Sequence, residues 1–168
     1  YPSLQVVYDV YGEASLPQKN LDFLEGYRGS RPVRVGNQAH AQFQLDIYGE
    51  LLDALLSYVD AGNHLDRETR RWLVRMADFI SAQWTSPDHG IWEISDRRRH
   101  YVHSKVMCWV ALDRAERIAL KLGVQADFRR WQDARELIRR TVLGAGYSNE
   151  RESFVQTLEG ADVDATAL

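Results

Sequence analysis

The sequence predicts an all-α fold in which inner and outer helices alternate. Three observations support this: apolar residues recur at helical spacing in four segments, capping residues stand between those segments, and segments with few charges alternate with charge-rich ones. A chain of 168 residues that is 45% hydrophobic can bury one core, so we treat residues 1–168 as a single domain. We expect this domain to be cut from a longer protein, because the chain starts with neither Met nor a signal peptide.

The N-terminal part of the chain predicts little regular structure. Residues 4–11 alternate loosely and contain β-branched side chains, which predicts a short strand or hairpin arm before a turn at Gly12. The first helix is predicted at residues 41–60 and is ended by Gly62. Its expected buried stripe consists of Phe43, Ile47, Leu51, Leu55 and Val59, widened by Leu52 and Leu56.

Three more helices are predicted after the first, at residues 66–84, 103–122 and 127–143. Asp66 and Asp127 are the expected residues at the start of the second and fourth helices, and Gly123 is the expected left-handed residue after the third. A last short helix is expected from Asp162. The expected buried face of the second helix is Trp72, Leu73, Met76, Phe79 and Ile80.

The distribution of charge among the helices predicts their arrangement. The first and third helices carry few charges and look buried on more than one side, whereas the second and fourth have one apolar stripe and one charged face. If an inner helix is followed by an outer one, the loops that lead from outer to inner helices open at the same end. These loops are residues 28–40, 84–102 and 145–161.

The first of these loops carries side chains that can hydrogen-bond sugar hydroxyls. They are Arg28, Arg31, Arg34, Asn37, Gln42, Gln44 and Asp46. The alternative is that the arginines pair with nearby acids and the amides cap backbone groups. Phosphate binding is disfavoured, because the P-loop and dinucleotide glycine spacings are both missing from the sequence.

The second loop carries a tight turn followed by a tryptophan and a glutamate. The order Pro87-Asp88-His89-Gly90 is typical of such a turn, which would position Trp92 and Glu93. A carboxyl group beside an indole is poorly solvated in its charged form, a setting that suits a general acid. The alternative is a salt bridge between Glu93 and one of the arginines at 97–99.

Composition excludes several other classes of function. His100 and His103 lie three residues apart but lack a third ligand at a matching spacing, so we expect neither a metal nor another cofactor. The basic run "DRRRHYVHSK" stands in a chain of net charge −3 without a nucleic-acid-binding motif, so we expect no nucleic acid partner. The sequence contains no apolar run of about 18 residues, which argues against a membrane span.

Cysteine usage gives a limited indication of compartment. Cys108 is the single cysteine, which excludes a disulfide within the chain, and its apolar neighbours predict a buried thiol. A reducing, cytoplasmic location is favoured on this basis.

Three long segments carry a resemblance to a known family. They are "GYRGSRPVRVGNQAHAQFQLDIYGELLDAL", "PDHGIWEISDRRRHYVHSKVMCWVALDRA" and "ESFVQTLEGADVDATAL". In this order and spacing they resemble the middle of the catalytic domain of glycoside hydrolase family 15, which contains glucoamylases, glucodextranases and some bacterial trehalases. The resemblance spans about residues 8–168. It implies a partial (α/α)6 barrel and hydrolysis of an α-glucosidic bond at a non-reducing end, with inversion at the anomeric carbon.

The resemblance also implies roles for individual residues. Glu93 in "GIWE" corresponds to the general acid and Trp92 to a wall of the sugar pocket. Ser95 stands where a basic residue is expected in many relatives. The residues implied at the rim or wall of the pocket are Arg34, Asn37, Gln44 and Asp46.

The resemblance leads to expectations for the isolated chain. The family's general base lies after the segment that matches "DVDATAL", so we expect the chain alone to be inactive and its parent to act on an α-glucan or a small α-glucoside. A partial barrel exposes apolar helix faces, so we also expect self-association. Two alternatives remain open: a trehalase of the same family, and a non-catalytic helical module that binds sugar or a protein.

Overall fold

The computed structural model describes residues 4–94 and 97–167. The chain divides into two compact units, one of residues 5–43 and one of residues 44–168 together with residues 1–4.

The smaller unit is held together by short local elements. Its two strands pair antiparallel, with Lys19 opposite Val35 and Asn20 opposite Arg34. The elements are β1 (Lys19–Asn20), a 3-10 turn at Tyr27–Gly29, β2 (Arg34–Val35) and a 3-10 turn at Gln38–Ala41. This unit confirms the irregular N-terminal stretch expected from the sequence.

The strand predicted at residues 4–11 is wrong. The Asp9 carboxylate accepts hydrogen bonds from the backbone N–H groups of Tyr11 and Glu13, both at 2.8 Å. A side chain that satisfies nearby backbone donors in this way competes with strand pairing and closes a turn.

The described part of the larger unit contains four α-helices, which confirms the all-α prediction. They are α1 (Asp46–Asp60), α2 (Arg67–Gln83), α3 (Val102–Leu122) and α4 (Phe128–Ala145). α3 is the central helix and packs against α1, α2 and α4. A two-stranded hairpin follows α4, and a single 3-10 turn at Ala165–Ala167 replaces the helix expected from Asp162. The hairpin strands are β3 (Tyr147–Ser148) and β4 (Ser153–Phe154).

The sequence correctly predicted the ends of helices that depend on local capping. Asp66 accepts a hydrogen bond from the backbone N–H of Thr69 at 2.6 Å and starts α2, and Gly123 ends α3 with φ 64°. α4, however, continues through Gly144 to Ala145, because that glycine keeps a helical conformation. The predicted buried face of α2 is wrong at Trp72, which is exposed.

α1 differs from its prediction in both its start and its buried face. It begins at Asp46 instead of residue 41, and residues 38–41 form a separate 3-10 turn. Its buried side chains include Tyr48, Leu52 and Leu56, whereas Leu51 is 41% exposed. Both faces of this helix are rich in apolar residues, so packing against α3 decides which of them is buried.

A glycine brings α1 and α3 close together. A Cβ atom added at Gly49 would lie 2.5 Å from the backbone oxygen of Met107 on α3, well inside van der Waals contact. Only glycine therefore fits at this crossing without moving a helix.

Within residues 4–94 and 97–167, the helices are all too short or too polar to cross a membrane.

We expect Gly49→Ala to destabilise the chain. Alanine normally stabilises a helix by about 0.5–1 kcal/mol relative to glycine, but overpacking against Met107 costs about 1–3 kcal/mol. Gly144→Ala is the matched control, because a Cβ atom there meets nothing within 4 Å. Urea unfolding followed by tryptophan fluorescence measures both variants, and equal stabilities would contradict the close approach of α1 and α3.

Candidate active site

The loop between α2 and α3 is fixed by the buried carboxylate of Asp88. This residue has no exposed surface, and its Oδ2 accepts hydrogen bonds from the backbone N–H of Leu45 at 3.0 Å and from Ser104 Oγ at 2.8 Å. Leu45 directly precedes α1, and Ser104 lies in the first turn of α3, where the helix dipoles favour a negative charge. Asp88 therefore ties the loop to the N-terminal ends of two helices.

The two ends of this loop also pair with each other. The backbone N–H of Asp88 donates to the Arg99 carbonyl at 2.9 Å, and the Arg99 N–H donates back to the Asp88 carbonyl at 2.8 Å. Trp92 and Glu93 lie in the part of the loop between these two paired residues.

Glu93 has a backbone conformation that is uncommon for a residue with a side chain. Its φ is 54°, and its N–H donates to the Gly90 carbonyl at 3.3 Å. Gly90 lies against the Tyr101 ring, where an added Cβ atom would be only 2.7 Å from a ring carbon. The left-handed region is unfavourable for glutamate and persists where the surrounding structure imposes it. The Glu93 side chain is exposed.

Trp92 is held by one hydrogen bond from its ring. The indole is 52% exposed, and its Nε1 donates to Asp164 Oδ2 at 2.9 Å. The partner belongs to the segment after the β3–β4 hairpin. This segment lies at the same end of the larger unit, because Tyr101 and Thr157 form an isolated β-bridge. Two of the three loops that were expected to open at one end, 84–102 and 145–161, are therefore in contact, and the place of loop 28–40 stays a prediction.

Gln44 and Asp46 lie inside the larger unit, 4% and 3% exposed. Burial raises the pKa of Asp46, and the nearby Asp88 carboxylate raises it further, whereas a backbone hydrogen bond and His103 oppose these effects. Oδ1 of Asp46 and Oδ1 of Asp88 are both buried without a hydrogen-bond partner among the described residues. These atoms belong to a polar cluster beneath the loop.

Arg34 and Asn37 belong to the smaller unit. Arg34 is exposed on β2, and the Asn37 side chain accepts a hydrogen bond from the backbone N–H of Ala39 at 2.9 Å. The amide therefore caps a 3-10 turn, which was the structural alternative to sugar binding. Contact of Arg34, Asn37, Gln44 or Asp46 with a sugar stays a prediction, and Ser95 lies outside the described residues.

Sequence reasoning missed the residues that support the loop. The sequence indicates Asp88 only as a turn residue and places Asp164 in the short helix expected from Asp162. Lys105 is buried at the start of α3, where its Nζ donates to the Ser86 carbonyl at 2.6 Å and burial lowers its pKa. The sequence offered two signals for these supports: Lys105 stands next to the apolar run of α3, and Asp88 stands in the turn before it.

The predicted burial of Cys108 is confirmed, and burial raises the pKa of its thiol.

The structure offers no clustered metal ligands in the part of the chain that it describes. His100 Nε2 lies 3.6 Å from Glu159 Oε1.

Comparisons with known proteins identify a family. The model of "Glycosyl hydrolases family 15" matches residues 3–168. Trehalases of Thermoplasma volcanium and Mycobacterium tuberculosis are 35% and 36% identical to the chain over 98% of its length, and Trehalase 1 of Sulfolobus acidocaldarius is 37% identical over 99%. The chain spans 26%, 24% and 28% of these three relatives. No solved structure matches the chain.

We expect Ser104→Ala to destabilise the chain by about 1.5–3 kcal/mol, because it removes a donor from the buried Asp88 carboxylate. Ser57→Ala, on the exposed face of α1, is the control and should change stability by less than about 0.5 kcal/mol. Urea unfolding measures both variants. If the two substitutions have the same effect, Ser104 does not support Asp88.

Asp46 gives a prediction for the pH dependence of stability. Its pKa is higher in the folded chain than in the unfolded chain, so the folded chain binds the extra proton in the window between those two values. The stability of the wild type relative to Asp46→Asn should therefore fall as the pH rises from about 4 through the folded pKa of Asp46.

Urea unfolding of both proteins at a series of pH values measures this difference. Asp133→Asn is the control for replacing a carboxyl group by an amide at the surface, because the Asp133 side chain is 73% exposed. A difference between wild type and Asp46→Asn that stays constant with pH would contradict the raised pKa of Asp46.

Proposed function

Because the chain belongs to glycosyl hydrolases family 15, we propose that residues 1–168 form part of a longer catalytic domain that hydrolyses an α-glucosidic bond with inversion. Glu93 is the proposed general acid, and Trp92 is the proposed wall of the sugar pocket beside it. The relatives support glycoside hydrolysis, since they match the chain over nearly all its length.

The observation that carries the role of Glu93 is its left-handed backbone. A glutamate at φ 54° is a costly arrangement, and such residues are concentrated at active sites, where the strain fixes a side chain. Here the hydrogen bond from the Glu93 N–H to the Gly90 carbonyl closes the turn, and Glu93 as a whole residue is exposed. A proton donor needs this combination of fixed position and access.

An inverting mechanism requires a second carboxylate about 6.5–9.5 Å from the acid, which activates a water on the opposite face of the sugar. Asp46 and Asp88 are 3% and 0% exposed, so neither is accessible to act on such a water. The resemblance to the family implies that the base follows the segment matching "DVDATAL", so we propose that it belongs to another part of the complete protein and expect residues 1–168 alone to be inactive.

We propose trehalose as the substrate, in preference to an α-glucan. The support is that the three relatives named above are all trehalases. Glucose release by the complete protein from trehalose, maltose and dextrin distinguishes these substrates. Inversion is shown if the glucose whose α bond is cleaved is first released as the β anomer. Self-association of the isolated chain and a cytoplasmic location stay predictions.

We expect Glu93→Gln in the complete protein to lower kcat for trehalose by about 10²–10⁴-fold while sugar binding changes little, because the amide cannot donate the proton. The loss should be much smaller for an α-glucoside whose leaving group departs without protonation, such as 4-nitrophenolate. Steady-state kinetics on both substrates measures this.

Glu152→Gln is the matched control, because Glu152 is also exposed and also has a positive φ, of 50°. It should retain wild-type activity. A non-catalytic binding module would show no hydrolysis in any of these proteins, and full activity of Glu93→Gln would remove Glu93 from the mechanism.

A further inference from the structure

We propose that Asp164 is a positioning residue, which fixes the indole of Trp92 and through it the carboxyl group of Glu93. This proposal rests on the proposed function of Glu93. It adds a residue that the sequence motif around Glu93 does not contain, from a segment 72 positions further along the chain.

The carboxylate of Asp164 is fully engaged by hydrogen-bond donors. Oδ2 accepts from Trp92 Nε1 at 2.9 Å and from Gln156 Nε2 at 2.8 Å. Oδ1 accepts from the backbone N–H of Thr166 at 2.9 Å and also from its hydroxyl group. Four donors fix both the position and the orientation of this carboxylate.

The segment that carries Asp164 is in turn attached to the start of α3. The backbone N–H of Val102, the first residue of α3, donates to the Gln156 carbonyl at 3.0 Å. The Gln156 N–H donates to the Asp162 carbonyl at 2.7 Å. The acceptor for the indole is therefore fixed relative to α3, the helix whose Ser104 also holds Asp88.

Trp92 needs such an acceptor because packing alone does not fix it. About half of its surface is exposed, and the indole has only one hydrogen-bond donor. A hydrogen bond to a charged acceptor is roughly twice as strong as one to a neutral acceptor. Glu93 follows Trp92 directly in the chain, so a rotation of the indole and its backbone displaces the proposed acid.

Asp164 is charged under ordinary conditions. Burial by itself favours the neutral form, but the hydrogen bonds from Thr166, Gln156 and Trp92 outweigh burial and hold the pKa of Asp164 below its usual value. The acceptor is therefore present throughout the neutral pH range, and it is lost only as the pH falls through this lowered pKa.

The consequence for catalysis is selective. A displaced acid should slow reactions that need proton donation and affect reactions with a good leaving group much less. Misplacement of a catalytic group by about 1 Å can cost about 10²-fold in rate. A purely structural role for Asp164 would instead lower the rates for all substrates equally.

The first test measures the indole directly in the 168-residue chain. In a ¹H–¹⁵N spectrum, the Trp92 indole resonance is identified by its loss in Trp92→Phe. We expect it to shift as acid protonates Asp164, and to be displaced and insensitive to that titration in Asp164→Ala. An unchanged resonance in Asp164→Ala would overturn the proposal, whatever the activity of the complete protein.

The second test uses kinetics of the complete protein on trehalose and on 4-nitrophenyl α-glucoside. We expect Asp164→Ala to lower kcat for trehalose by about 10–10²-fold, with a several-fold smaller loss on the activated substrate. Trp92→Phe should reduce kcat for trehalose as well, and the double variant should lose little more than either single variant, because both act on one contact. Asp164→Asn, which keeps an oxygen acceptor, should recover part of the loss.

Asp162→Ala is the control, because Asp162 is exposed and only two residues away. It should leave both rates unchanged. Equal losses on the two substrates, or additive losses in the double variant, would overturn the positioning role while leaving the proposed function intact. A wild-type protein that hydrolyses neither substrate would overturn the proposed function itself and the catalytic part of this proposal.

Discussion

The buried carboxyl group of Asp88 is the constraint on which the rest of the site depends. It has no exposed surface, and the two donors to its Oδ2 belong to the N-terminal ends of α1 and α3. The position of the loop and the positions of two inner helices are therefore decided together. The hydrogen bond from the Leu45 N–H to Asp88 also explains why α1 begins at Asp46 and not at residue 41. The Leu45 N–H is used by the Asp88 carboxyl group, so the helix does not extend to the residues before it.

A second level of support comes from the segment after α4. His100 and Leu158 are joined by a backbone hydrogen bond of 2.9 Å, next to the bridge between Tyr101 and Thr157. The candidate acid thus lies on a loop with two supports: the buried hydrogen bonds of Asp88, and the backbone contacts with residues 157–158. Glu93 itself is an exposed residue. This division lets the protein combine a rigid frame with an accessible reactive group.

The sequence predicted features that depend on neighbouring residues and missed those that depend on distant ones. Asp66 and Gly123 end or start helices through local hydrogen bonds and φ values, so their roles could be read directly. The buried face of α1 could not, because it is chosen by the approach of Gly49 to α3. Glu93 was found through its family motif, yet its left-handed backbone is imposed by tertiary structure. Asp164 supports that motif from so far along the chain that spacing gives no indication of it.

The separations along the chain between the loop and its supports have a consequence for folding. Leu45 lies 43 residues before Asp88, and Asp164 lies 72 residues after Trp92. The pairing of α1 with α3, where Gly49 meets Met107, joins parts of the chain that are comparably far apart. Because Asp88 is bonded to the N-terminal ends of both helices, the loop and the helix pair share much of one loop-closure cost. A change that separates α1 from α3 would therefore also release the loop that carries the proposed acid.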